Sequence, residues 1–411
     1  MSDAHQTHDA QKTLSNLRDH LARHDKPIAF FFGAGTSCAV RVSSPGNNSE
    51  MRPIIPAVTE LTKICREDAA ALGKKFSDAW ESIEAQCKEN KQAPNVENIL
   101  SRLRMMLSAV WNSDTLSGLN KDELEKLEEC VRKSIARVVT PDLIEVLVVD
   151  FPHRKFARWL VKTSRKNPVE IFTVNYDVLI EHGLEAERIP IFDGFVGSYQ
   201  PFFHPDSLRR LEAAPGTNWT RLWKMHGSVT WRRVLQDGRA RVVRGDPDPA
   251  GEMIYPSFQK YDESRQQPYS AFTDRLNRFL EQDDALLVVA GFSFGDEHIN
   301  NIIFGVLESR PRTHVYALQY DEFPENIDLI KRAYQRPNMI VIGPETGIIG
   351  GRRAMWAPME APSFMDGVFE LRTDAQAATD GAEGCADAKS GRMKIGDFGS
   401  FCAFLESMTV G

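Results

Sequence analysis

The sequence contains few cysteines, and no two of them are spaced as a C-x-x-C motif. Six cysteines are spread over 411 residues, without a C-x-x-C pair or a recurrent spacing. A structural zinc module usually takes its ligands from two such pairs, and a secreted disulfide scaffold needs cysteines at regular spacings. We therefore expect no zinc, no other bound metal and no disulfide framework in this protein.

The sequence also lacks an excess of basic residues and any long apolar run. It has 50 Lys and Arg against 57 Asp and Glu, a net charge of -7, which argues against direct binding of nucleic acid. No run approaches the ~18 apolar residues of a membrane helix, and the polar residues 1–11 contain no signal-peptide core. These absences predict a cytoplasmic protein with no membrane partner.

Short apolar runs, separated by segments of helix length, are present from the first fifth of the chain onward. Such runs predict buried parallel strands joined by crossover helices, and hence an α/β fold with a Rossmann-like parallel sheet. Leucines at helical spacing, Leu14, Leu17 and Leu21, predict a helix that covers the first strand. The predicted strands are residues 28–32, 169–174, 222–225, 286–290, 315–318 and 339–342.

A large helical block interrupts this pattern. Residues 57–160 show apolar faces at helical spacing, which we interpret as a helical insertion between the first and second strands. The Rossmann-like domain then comprises residues 1–56 and 161–345, and residues 346–411 form a C-terminal extension. Residues 373–391 are rich in small residues, so we expect the extension to be partly flexible. The polar segment before Pro56 is typical of a surface loop, and its length suits a lid over a site.

The first apolar run ends in glycines and small hydroxyl residues. Residues 27–38 read PIAFFFGAGTSC. A strand that ends in this way is typical of a turn that brings backbone N–H groups against a phosphate. The turn residues are Gly33, Ala34, Gly35, Thr36 and Ser37.

Three later strands also end in polar or glycine-rich segments. Asn175 and Asp177 follow the second run, where an amide and a carboxylate suit ribose hydroxyls but equally suit a helix N-cap. His226 follows the third run and is either a general base or a structural histidine. Gly291, Phe292 and Ser293 follow the fourth run and suit a second ribose or a phosphate. Asp296, which comes next, is predicted to be a helix N-cap.

Taken in order, GAGTS, TVNYD, MHGS and GFSFGD resemble the motifs of the sirtuin superfamily, which read GAGxS, TQNxD, HG and a glycine-serine segment. The resemblance spans roughly residues 27–318. It implies an NAD site in which the first turn surrounds the pyrophosphate and Gly291, Phe292 and Ser293 hold a further part of the cofactor. Asn175 and Asp177 would lie beside the nicotinamide ribose. The catalytic residues would be His226, as the base, and Asn175.

The departures from the sirtuin pattern concern the acyl-peptide chemistry. Deacylating sirtuins carry a zinc module with two C-x-x-C pairs and a GIPDFR loop, whereas this chain lacks the pairs and has IIPAVT at residues 54–59. Val174 stands where the superfamily has a glutamine. The insertion, NYD and GFSFGDEH are similar to bacterial sirtuin-like domains of antiphage defence that hydrolyse NAD. In length the chain most resembles the subunit that works with a HerA-type ATPase.

This resemblance implies an NAD hydrolase that uses NAD as its substrate and depletes it during abortive infection. We expect a homo-oligomer with a HerA-type partner, because the helical block offers more apolar faces than a nucleotide-binding domain needs. Two alternatives stay open from the sequence. One is NAD-dependent protein deacylation or ADP-ribosyl transfer, and the other is a non-catalytic nucleotide-binding scaffold.

Overall fold

The computed structural model describes residues 7–44, 47–90, 92–111, 114–141, 150–210, 213–236, 238–247, 267–324, 327–372 and 390–409. Within these residues the strands are β1 (Thr7–His8), β2 (Ile28–Phe32), β3 (Arg41–Ser44), β4 (Asn47–Pro53), β5 (Glu170–Thr173), β6 (Ile191–Phe192), β7 (Phe195–Val196), β8 (Phe202–Phe203), β9 (Thr220–Lys224), β10 (Trp231–Gln236), β11 (Arg239–Arg244), β12 (Leu286–Ala290), β13 (His314–Leu318), β14 (Met339–Ile342), β15 (Thr346–Ile349), β16 (Arg352–Trp356), β17 (Phe369–Arg372) and β18 (Ser390–Met393). The helices are α1 (Ala10–Leu21), α2 (Ala34–Cys38), α3 (Val58–Ala71), α4 (Lys74–Glu89), α5 (Val96–Ala109), α6 (Lys121–Val139), α7 (Pro152–Val161), α8 (Leu179–Ala186), α9 (Asp206–Arg209), α10 (Tyr269–Leu280), α11 (Glu297–Ser309), α12 (Asp328–Gln335) and α13 (Phe398–Ser407).

The main sheet has the strand order β1-β16-β15-β14-β13-β12-β2-β5-β9-β6. Its central strands, from β14 across to β6, are all parallel, whereas β15 pairs antiparallel with both β14 and β16. The chain builds outward from β2 through β5 to β9 and then returns to β12 on the other side of β2. In open α/β sheets this reversal leaves a crevice at the carboxyl ends of the two strands, where ligands bind. The predicted α/β fold class with a parallel sheet is confirmed.

Two hydrophobic layers cover the sheet. One contains Leu14 and Leu17 of α1, together with Phe156 of α7 and Phe401 of α13. The other contains apolar residues of α10, α11 and α12, such as Phe272, packed against the opposite face. The sheet strands are buried on both faces, which is why their sequences are continuous apolar runs and do not alternate.

Helices α3 to α6 form a separate core of their own. Trp80, Leu103 and Leu127 are fully buried in it, and Val40 and Ile55 anchor the chain that enters it. Helices α3 to α6 thus form a helical unit within the predicted insertion of residues 57–160. Its predicted last part, α7, packs on the main sheet.

Two segments differ from the prediction. The segment before Pro56, predicted as a surface loop, forms α2 and an antiparallel hairpin of β3 and β4, closed at its base by the bond from Ile54 N–H to Val40 C=O at 2.8 Å. Its polar composition hid the pairing, because exposed two-stranded ribbons need no apolar face.

The predicted C-terminal extension is in large part integral to the domain. Strands β15 and β16 continue the main sheet, and α13 packs on α7. Residues 373–389, which include most of the segment predicted to be flexible, lie outside the described residues. Among the described helices, none is long and apolar enough to cross a membrane.

Candidate functional site

The four segments singled out from the sequence meet at one edge of the sheet. Phe32 of β2 is in register with Thr173 of β5 and Ala290 of β12, and Thr173 is in register with Lys224 of β9. The residues two positions further on, among them Asn175 and His226, therefore follow the carboxyl ends of adjacent strands. Neighbouring strands lie about 4.8 Å apart. The candidate site is thus at the crevice predicted by the reversal in strand order.

The two glycine turns of this edge pack backbone against backbone. Gly291 has a φ of 64°, and a Cβ at this position would lie 2.5 Å from Thr36 N. A Cβ on Gly35 would lie 2.7 Å from the Cα of Gly291. Gly35 N–H donates to Gly291 C=O at 2.9 Å, and Gly33 N–H donates to Ala290 C=O at 3.1 Å. The glycines thus join β2 to β12, and these two amides are already used within the protein.

The predicted cofactor-binding residues separate into two groups by exposure. Ala34, Gly35 and Ser293 are exposed at the crevice, so their backbone and the serine hydroxyl can contact a ligand directly. Thr36 and Ser37 are buried, and the ring of Phe292 packs between Phe31 and Phe294 in the core. These three buried side chains therefore pack inside the protein and do not face the crevice.

Asn175 is held in one orientation by the first turn. Its Nδ2 donates to Gly33 C=O at 3.0 Å, to Thr36 Oγ1 at 3.2 Å and to Ser37 Oγ at 2.9 Å. A carbonyl can only accept, so the nitrogen of the amide must face Gly33. The structure shows no hydrogen bond from a described residue to Asn175 Oδ1, which leaves this oxygen as the acceptor for a ligand or a water molecule.

Asp177 lies behind Asn175 and faces the protein. Its Oδ2 accepts from Ser37 Oγ at 2.7 Å, and its Oδ1 accepts from Leu179 N–H at 3.0 Å. Burial raises the pKa of Asp177, and the nearby Lys224 opposes that rise. This placement differs from the predicted contact with the ribose and is closer to the capping alternative, because the carboxylate fixes Ser37 and the start of α8.

His226 is paired with an acid. Its Nε2 lies 3.0 Å from Asp296 Oδ2, and both side chains are about nine-tenths buried. Asp296 is also the N-cap of α11, as predicted, because its Oδ1 accepts from His298 N–H at 3.0 Å. A carboxylate beside one imidazole nitrogen favours the proton on that nitrogen and leaves the lone pair on the other. The pair suits proton abstraction.

Two features of this site escape a reading of the sequence. The pairing of His226 with Asp296 joins residues that are 70 positions apart, and the only signal is that both follow strands of one sheet. Lys224, at the end of β9, is 3% exposed in its side chain and lies 2.9 Å from Glu181 Oε1 while it donates to Asp177 C=O. From the sequence alone, a lysine at the end of an apolar run gives no sign that it is buried and paired with these two partners.

Comparison with protein families identifies a SIR2-like domain at residues 169–337. This region contains Asn175, His226 and Asp296 and covers strands β5 to β13, whereas the first glycine turn precedes it. No match was found among the curated proteins. Residues 169–337 are thus similar to a SIR2-like domain, and this similarity suggests NAD-related activity of the sirtuin type. Within the residues described, no cluster of three or more His, Cys, Asp or Glu is placed to hold a metal ion.

Proposed function

We propose that this protein is an NAD hydrolase that cleaves NAD to nicotinamide and ADP-ribose. The observation that carries the proposal is that Asn175 and His226 follow the adjacent strands β5 and β9 beside the crevice, and that His226 is paired there with Asp296. An amide oxygen and an imidazole at neighbouring positions can hold and deprotonate one water molecule. The exposed backbone of Ala34 and Gly35, with Ser293 across the crevice, would hold the rest of the dinucleotide.

The reaction breaks the bond between C1′ of the ribose and the nicotinamide nitrogen. The electron pair of that bond leaves with nicotinamide, which departs as a neutral base, and the ribose acquires oxocarbenium character. Asn175 Oδ1 accepts a hydrogen bond from the attacking water and places its oxygen toward C1′. His226 takes the proton as the new C–O bond forms, and Asp296 stabilises the resulting imidazolium.

The rigid support behind Asn175 serves this step. Thr36, Ser37 and Gly33 hold its Nδ2, and Asp177 in turn holds Ser37. A side chain fixed by several hydrogen bonds needs little reorganisation at the moment of reaction, which is where preorganised polar groups lower a barrier most. Asp177 and Ser37 are therefore positioning residues in this mechanism, and Asn175 and His226 are the catalytic ones.

For the biological role we propose antiphage defence by NAD depletion, with a HerA-type ATPase as partner and with self-association of the chain. The resemblance of NYD and GFSFGDEH to sirtuin-like defence domains supports this role, as does the helical unit α3–α6 between β2 and β5. Such an activity must be restrained in a healthy cell, so we expect the partner to raise the rate of the isolated chain.

The test is NAD consumption by the full chain, alone and with the candidate ATPase, followed by separation of the products. We expect Asn175→Ala and His226→Ala each to lower the rate by about 100-fold or more, as for loss of a general base or its water site. Asn277→Ala is the matched control, because Asn277 is half-buried on α10, outside the proposed site, where its Nδ2 donates to Glu281 Oε1 at 2.9 Å. Equal rates for wild type and both site variants would refute the assignment.

The products separate the competing activities. Free ADP-ribose with nicotinamide indicates hydrolysis, whereas O-acyl-ADP-ribose or ADP-ribosylated protein would indicate deacylation or transfer. Binding of ADP-ribose without turnover, even in the complex with the ATPase, would indicate a scaffold.

A further inference from the structure

A second polar cluster lies near the amino ends of β5 and β9, away from the crevice. Glu170 begins β5 and is in register with Arg221 of β9. Arg221 is 8% exposed and is therefore a buried charge in the middle of a sheet. Buried guanidinium groups are normally paired with a carboxylate or fully hydrogen-bonded.

The carboxylate of Glu170 is already committed to other donors. It accepts from Trp223 Nε1 at 2.7 Å and from Arg275 Nε at 2.8 Å, and Arg275 Nη2 bonds its second oxygen. Arg221 Nε, in contrast, is buried without a hydrogen-bond partner among the described residues. Burial and the nearby Arg275 lower the pKa of Arg221. Glu170 thus hydrogen-bonds the half-buried Arg275, whereas it attracts the buried Arg221 through its charge alone, which opposes the lowering of the pKa of Arg221.

A cavity opens at the unsatisfied guanidinium. Arg221 and Arg275 line it together with Phe192 and Trp223, and the exposed Arg210 stands at its rim beside Ser207. The cavity measures about 260 Å³ with its mouth, and its interior has room for about one water molecule. Among the described residues of this cluster, three arginines stand against the carboxylate of Glu170, which leaves an excess of positive charge.

We propose that this cavity is a binding site for a single phosphate group, separate from the proposed NAD site. The planar guanidinium fork matches the oxygens of a phosphate, and such charge-assisted bonds are among the strongest in proteins. One phosphate oxygen enters the enclosed part and accepts from Arg221, while Arg210 meets the outer oxygens. The narrow interior excludes a base or a second phosphate, so the ligand is inorganic phosphate or a small phosphomonoester. This site goes beyond the proposed hydrolase activity and does not depend on it.

Thermal unfolding of the full chain tests the site, with inorganic phosphate, ribose 5-phosphate or potassium chloride added at equal ionic strength. Saturating ADP-ribose is present throughout, so that phosphate binding at the crevice does not contribute. We expect the phosphates, and not chloride, to raise the Tm of wild type. A larger shift with ribose 5-phosphate would point to a sugar phosphate, and equal shifts would point to free phosphate.

Variants connect the shift to the cavity. Arg221→Met removes the shift and leaves the Tm without phosphate at or above that of wild type, because an uncompensated buried charge is gone. Arg210→Ala weakens the apparent phosphate affinity about tenfold or more, as expected for a lost charged hydrogen bond. Arg209→Ala is the matched control, since Arg209 is also exposed on α9 but does not line the cavity.

Three results would overturn the proposal: a phosphate shift no larger than that of chloride, a shift retained in Arg221→Met, or equal weakening by Arg210→Ala and Arg209→Ala. If Arg221→Met does not fold, the two exposed variants decide alone. Loss of NAD hydrolysis in Asn175→Ala with an intact phosphate shift would separate this site from the proposed active site.

Discussion

The two carboxylate oxygens of Asp296 have different partners, the N-terminus of α11 and the imidazole of His226. Oδ1 caps α11 by accepting from His298 N–H, and Oδ2 lies 3.0 Å from Nε2 of His226. An aspartate that only capped the helix would be replaceable by asparagine, which is an equally good N-cap. An aspartate that sets the tautomer of a catalytic histidine is not replaceable in this way, because the amide can donate to the imidazole and reverse the tautomer.

We therefore expect Asp296→Asn to lower NAD hydrolysis by about 100-fold to 10000-fold, the range for loss of an orienting acid. The Tm should stay within about 2 °C of wild type, since the cap is kept. Both quantities are measured on the same preparation. Asp296→Ala serves as the comparison, because it removes the cap as well and should also lower the Tm. Full activity of Asp296→Asn would show that His226 acts without its acid.

For single residues, the sequence predicts which of them follow a strand but not the direction in which each side chain points. Asn175 and Asp177 are two positions apart, and both suit a ribose in chemical terms. In the structure Asn175 donates through Nδ2 to the first glycine turn, whereas each oxygen of Asp177 accepts from a donor within the protein. The ring of Phe292 likewise packs on Phe31, so only its backbone stays a predicted ligand contact. Orientation depends on neighbours from distant segments, which no local pattern contains.

Among the elements, the junction of β2 with β12 determines the shape of the crevice. The turns that follow these strands approach so closely that glycine is required on both sides. We expect Gly291→Ala to destabilise the protein by about 3 kcal/mol, since it combines a φ of 64° with a Cβ 2.5 Å from Thr36 N. Gly305→Ala is the control, because Gly305 lies within α11 with open space around its Cα.

Gly305→Ala should instead raise the free energy of unfolding by about 0.5 to 1 kcal/mol, because alanine is the better helix former. Denaturant unfolding of both variants measures the two effects against wild type. NAD hydrolysis by Gly291→Ala, taken at a temperature where it is folded, should also fall, because Ala34 and Gly35 move with the turn. An unchanged stability of Gly291→Ala would contradict the close packing of the two turns.

The predictability of the elements follows from how each buries its surface. Strands such as β12 are buried on both faces and give short apolar runs, so their positions were predicted to within a residue or two. The hairpin of β3 and β4 has no apolar face to reveal it and was predicted as a loop. The polar hairpin still sits between the first glycine turn and the helical unit, which keeps it a candidate cover for the crevice.

Across the whole molecule, periodicity predicts helices well and their packing partners poorly. The amphipathic α7 continues the helical pattern of the insertion, yet Phe156 and Trp159 pack edge to face on Phe30 of the main sheet. The C-terminal α13 joins it there through Phe401. A sequence shows that a helix has an apolar face, but the surface that meets that face is a property of the complete fold.

This shared layer buries a histidine whose charge the fold does not accommodate. His153 of α7 is 2% exposed beside Phe151 and Phe398, and neither ring nitrogen has a hydrogen-bond partner among the described residues. Burial lowers its pKa from 6.5 to about 3. Below pH 6.5 the unfolded chain takes up a proton that the native protein does not bind until about pH 3. The free energy of unfolding must therefore fall as the pH falls through this window.

Protonation of this one group can change the free energy of unfolding by at most ~1.4 kcal/mol per pH unit. Between about pH 7.5 and about pH 5 we expect wild type to lose about 2 kcal/mol more than His153→Leu, which has no proton to take up. Urea unfolding at the two pH values measures the difference. The control is His182→Leu, on α8, where the ring is only half-buried. This variant makes the same exchange of imidazole for leucine outside the buried layer, so it separates the effect of the added apolar side chain from that of the buried ring. If His153→Leu loses as much stability as wild type on acidification, the proton that destabilises the protein binds elsewhere, and the buried imidazole is not the cause of the pH dependence.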